Sequence, residues 1–86
     1  MKSDRELVRK ILTFSYCLLD EKDTVSFEEI VSAPELKSYD KREIVNALNE
    51  IHKKEYVVLQ PNLWGDRQPF IVDVTFEGCA CMRGKL

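Results

Sequence analysis

The sequence predicts an α+β fold: a three-helix core, then a β-hairpin, then a short C-terminal helix. Three observations carry this expectation. Apolar residues recur at three- and four-residue spacing in the first half of the chain. Residues 40–59, DKREIVNALNEIHKKEYVVL, pass from an amphipathic helical pattern into an apolar strand with almost no loop between. Two segments rich in β-branched and aromatic residues flank PNLWGDRQP, whose Pro, Asn, Gly and Asp favour a turn.

The first helix is expected to start at Ser3, whose hydroxyl can cap free amides while Glu6 reaches back. Leu7, Val8, Ile11, Leu12, Ser15, Leu18 and Leu19 form its inward stripe, and Arg5, Arg9 and Lys10 its outer face. Residues 20–23 make a charged turn, and Thr24 and Val25 a short strand.

Ser26 and Glu29 form a second capping box, opening a helix with Phe27, Ile30 and Val31 inward. Pro34 disfavours a helical conformation at the residue before it, so this helix is short. Residues 33–39 then form a longer connection than a tight helix-turn-helix uses, with an extra turn from Pro34 through Leu36.

The third helix begins near Asp40, where Asp40 and Glu43 repeat the cap-plus-acid pattern, and buries Ile44, Ala47, Leu48 and Ile51. Lys53 and Lys54 complement the negative end of its dipole and mark its stop. Strands follow over residues 56–60 and 70–75, and Thr75 caps a final helix through about Arg83, with Glu77 in its first turn.

The 86 residues, 44% of them apolar, suit one domain spanning 1–86, small enough that association with a second copy is a ready source of further buried surface. A net charge of −2 argues against a broadly basic surface. The three cysteines, Cys17, Cys79 and Cys81, lack the framework of a secreted disulfide scaffold, and no leading apolar run has signal-peptide character, so a cytoplasmic location is expected. No stretch approaches the roughly 18 uninterrupted apolar residues that a membrane helix needs.

The order of elements, with ELVRKIL near the start, IVNALNEIHKKEYV at the helix-to-strand junction and VTFEG entering the last helix, resembles the winged helix-turn-helix superfamily over essentially the whole chain. The likeness is nearest to small, largely uncharacterised winged-helix proteins of bacterial and phage type, and VTFEG is similar to the LTxEG phrase that often follows their wing. The resemblance implies that the third helix lies against double-stranded DNA, that the hairpin is the wing, and that the role is in transcription regulation. It also implies frequent dimers, for which Phe76 and Met82 on the last helix are the candidate contacts. The chain departs from the pattern at Glu55, where a Gly is usual at the junction, so a differently built turn is expected. It departs again at Val45, where Ser, Arg or Gln is frequent, while the neighbouring Glu43 opposes phosphate.

The candidate DNA-binding residues are Lys41, Arg42, Asn46, Asn49 and Lys53 on the third helix, with Arg67 at the wing tip. Arg can bond bidentately to guanine, Asn to adenine, and Lys can neutralise phosphate. An ordinary solvated helix face would show the same residue types. Residues 40–54 carry four basic and three acidic side chains, a net of +1, whereas residues 20–35 carry six acids and one Lys, a net of −5.

The alternative is a protein-interaction adaptor on the same fold, with Trp64 and Val45 as contacts. Trp64 equally suits a satellite core beneath the wing, and Val45 and Tyr39 each suit either the apolar contact surface or a place beneath the 33–39 connection. Cys79 and Cys81 form a CxC pair without further ligands, and His52 falls on another element, so no metal site is expected. No phosphate loop, nucleophile elbow or convergent acid–base set is visible, so neither catalysis nor a cofactor is expected.

Overall fold

Residues 5–60 and 69–84 are described by the computed structural model. Helix α1, Arg5–Leu19, buries Leu7, Val8, Ile11, Leu12 and Ser15 along one stripe, as their spacing predicts. Ser3, the expected cap, lies outside the described residues. Lys10 and Glu6 face each other at 3.8 Å on the solvent side, a pair one helical turn apart.

After a charged turn, Val25 forms a single antiparallel bridge with Ile71, N–H to carbonyl in both directions at 2.8 Å. This bridge joins the loop to the later hairpin. The expected capping box is present: the Ser26 hydroxyl accepts from the Glu29 amide at 3.1 Å, and the Glu29 carboxylate accepts from the Ser26 amide at 3.1 Å. It opens α2, Phe27–Val31, which contributes Ile30 to the core. Pro34–Leu36 forms a 3-10 turn that buries Leu36. That lengthened connection is the one expected from Pro34.

Helix α3, Lys41–Lys53, buries Ile44, Ala47, Leu48 and Ile51. Asp40 occupies the cap position with an extended backbone, but its side chain makes no capping hydrogen bond. Its contribution is therefore the favourable charge at a helix start rather than the expected bonded cap. At the other end, the Tyr56 amide donates to the Ile51 carbonyl at 3.0 Å and the Glu55 amide to the His52 carbonyl at 3.1 Å. These two bonds close a Schellman motif, the usual glycine-ended stop. Glu55 takes the left-handed conformation, φ 58°, in place of that Gly. The junction thus keeps the familiar geometry, contrary to the differently built turn expected from Glu55.

Strands β1, Val57–Gln60, and β2, Phe70–Val74, pair antiparallel, with a bulge where Leu59 pairs Ile71 after Val58 has paired Asp73. Val57, Ile71 and Val74 point to the core. Helix α4, Phe76–Met82, is capped by the Thr75 hydroxyl, which accepts from the Gly78 amide at 3.1 Å. It returns against α1 and buries Cys81.

One core unites these elements, with Ile11, Leu12, Val25, Ile30, Leu36 and Ile71 wholly buried at its centre. Each such side chain contributes roughly 1.5–3 kcal/mol by leaving water. Three helices followed by a two-stranded antiparallel hairpin and a short helix is a topology compatible with a winged-helix arrangement. Among the described residues, no helix is long and apolar enough to cross a membrane.

Candidate nucleic-acid interface

Helix α3 owes its position to one apolar stripe. Because Ile44, Ala47, Leu48 and Ile51 are anchored in the core, the 3.6-residue period turns Arg42, Asn46, Asn49 and Lys53 to the opposite side. All four are exposed. Lys41 and Val45 lie one step round the helix toward α2, and Glu43 and Glu50 one step the other way. The outward face is therefore a basic and amide row with an acidic border on one side.

Among the described residues Lys41, Arg42 and Lys53 have no ionic partner, which leaves their charges open to an external anion. Five of the six residues expected to meet DNA thus share one helix. Arg67 and Trp64 lie outside the described residues.

Val45 is 40% exposed and borders a cleft of about 510 Å³ between α2 and α3. Phe27 and Val31 of α2 and Leu48 of α3 supply its apolar lining, and Glu28 and Lys41 its charged rim. Sequence periodicity assigns Phe27 and Val31 to the inward face, yet both are only half-buried and face this cleft. Their spacing carries no signal of this, because their cover depends on how α3 crosses α2.

Tyr39 belongs to neither surface. It packs at the core edge, with the Lys10 ammonium 5.3 Å from its ring centroid, a cation–π contact. On α4, Phe76 is 85% exposed while Met82 packs against the core, so the two expected dimer contacts differ in access. Burial pushes the Tyr56 phenol above its ordinary value, and the neighbouring Cys81 thiol adds to the rise. Cys79 is half-buried and Cys17 exposed. Among the described residues, no three His, Cys, Asp or Glu side chains converge as a metal site.

The chain matches no family model, no curated protein and no solved structure.

Proposed function

We propose that this is a winged-helix domain that binds double-stranded DNA through α3, in a transcription-associated role. The observation that supports the reading is the exposed row of Arg42, Asn46, Asn49 and Lys53, without an ion pair among the described residues and set opposite the buried stripe of the same helix. An Arg and two Asn can read base edges in a major groove, while Lys41 and Lys53 meet flanking phosphates. With about two phosphates neutralised, the logarithm of affinity falls against the logarithm of salt with a slope of roughly −2 per copy. Such binding is weak for a single copy, and a dimer with two α3 helices one groove turn apart strengthens it.

The test is titration of a labelled mixed-sequence duplex at low salt, repeated with Arg42→Ala and Lys53→Ala. Binding that weakens with salt and in both variants supports the reading. Absence of binding at low salt overturns it.

A second reading, a protein-interaction adaptor, is favoured by a different observation: Val45 stands exposed in an apolar cleft on the α2 side of the same helix.

A further inference from the structure

We infer that the α2–α3 cleft receives the apolar face of a basic amphipathic segment from another protein. The inference deepens the adaptor reading by giving the partner its chemistry, and it does not depend on the duplex reading.

The cleft itself specifies the apolar half of the partner. Phe27 and Val31 on one wall and Val45 on the other are partly open to solvent, and the buried Leu48 forms the base. Apolar walls brought by two helices suit the side chains of an amphipathic helix laid between them. Covering Val45, Phe27 and Val31 removes from water surface that the fold leaves uncovered, which is the driving force for docking.

Charge specifies the other half. Residues 20–35 carry six acidic side chains and one cation, Lys22. That cation is bonded to the Glu29 carboxylate. Asp20, Glu21, Asp23, Glu28 and Glu35 are all exposed, and none forms an ion pair among the described residues. Glu28 stands on the cleft rim itself, while Lys41 on the facing wall offsets one charge only. Glu35 lies beside Arg9 and Lys10 of α1, whereas the chain leading into α2 and the α2 wall itself carry Asp20, Glu21, Asp23 and Glu28. A partner with Lys or Arg flanking its apolar residues is therefore favoured over an acidic one.

The experiment uses the full chain, isotopically labelled, and two synthetic helical peptides with the same leucine face. One carries lysines on its polar face and the other glutamates. The expected result is that the lysine peptide shifts the amide resonances of Phe27, Val31 and Val45, and that Val45→Ser and Glu28→Lys each weaken it about tenfold, equivalent to 1.4 kcal/mol. Both positions are solvent-exposed, and unchanged circular dichroism verifies that each variant is folded. A glutamate peptide that binds the cleft as tightly overturns the basic partner while leaving an adaptor in place. If neither peptide perturbs the cleft residues, or both variants bind like the parent, the inference and the adaptor site fail together.

Discussion

The Thr75 hydroxyl donates to the Glu55 carbonyl at 2.8 Å, so the cap of the last helix is bonded to the left-handed residue just beyond α3. The same oxygen accepts the Gly78 amide at 3.1 Å, and the Thr75 amide donates to the Tyr56 carbonyl at 2.9 Å. Helix α4 is thereby fastened to the junction between α3 and β1. Gly78 lets it come this close, since an added Cβ would stand 2.1 Å from the Tyr56 oxygen and 2.7 Å from a Val74 methyl.

Thr75→Ala is expected to destabilise the fold by about 1–2 kcal/mol, through loss of the cap and of the bond to Glu55. Thr75→Ser retains the hydroxyl and recovers most of that. Urea unfolding of the three proteins measures the difference. Equal midpoints for the parent and the Thr75→Ala variant would show that the joint contributes nothing.

Glu55 holds a left-handed backbone, φ 58°, that a side chain with a Cβ adopts at a cost of roughly 1 kcal/mol or more. The Schellman bonds around it and the Thr75 bond to its carbonyl keep it there. Glu55→Gly is therefore expected to raise stability by about 1 kcal/mol, although the freer unfolded chain returns part of that gain. A raised urea midpoint with an unchanged slope is the signature, and a lowered one contradicts the strain.

How much of this was legible beforehand depends on whether a feature is local. The stripes of α1 and α3, the Ser26–Glu29 box and the Pro34 turn follow from spacing and backbone chemistry within a few residues, and each is present. The left-handed Glu55 is not legible, because its side chain has no preference for that conformation and contacts to Tyr56 and Thr75 impose it. Nor is the cleft, because whether Phe27 and Val31 are covered depends on how α3 crosses α2. Of the candidate interface, the α3 row could be read from period alone, but whether its charges are paired could be read only from their neighbours.

Ser15 is wholly buried in α1, and its hydroxyl has no hydrogen-bond partner among the described residues. An unsatisfied buried hydroxyl is unfavourable, and Ala is also the better helix former. Ser15→Ala is expected to stabilise by about 1 kcal/mol, read as a rise in the thermal midpoint. A loss of stability would mean that the hydroxyl has a partner after all.

Acid should weaken the α2 cap. The Glu29 carboxyl is held below its ordinary 4.5 chiefly by the hydrogen bond from Lys22, with the Ser26 amide and hydroxyl assisting against a smaller opposing effect of burial. A lowered value in the folded state means that the native protein favours the ionised form. The stabilisation is therefore complete above about pH 4.5 and is lost as pH falls through the lower folded value. Both side chains are partly exposed, which keeps the pair within about 1 kcal/mol. Lys22→Met is expected to lower the urea midpoint near about pH 6 and to leave it nearly unchanged near about pH 2. A deficit that persists in acid would assign Lys22 some role other than pairing.

The acidic border of α3 offers a test of orientation as well as of binding. Glu43 is exposed and Glu50 partly so, and both lie beside the row formed by Arg42, Asn46, Asn49 and Lys53. A duplex seated squarely on that row brings its phosphates near both carboxylates, which repel them. Replacing Glu43 and Glu50 with Gln keeps the side-chain shape and removes the repulsion. The double variant is expected to bind a mixed-sequence duplex several-fold more tightly at low salt. That gain should shrink as added salt shortens the Debye length from about 30 Å at 0.01 M to about 8 Å at 0.15 M. Arg42→Ala in the same background should cancel much of the improvement, because the row itself must still hold the groove. If the double variant binds as the parent does while Arg42→Ala still weakens binding, the duplex lies toward Lys41 and away from the acidic border. The α2 cleft and the DNA surface would then compete for one side of the helix.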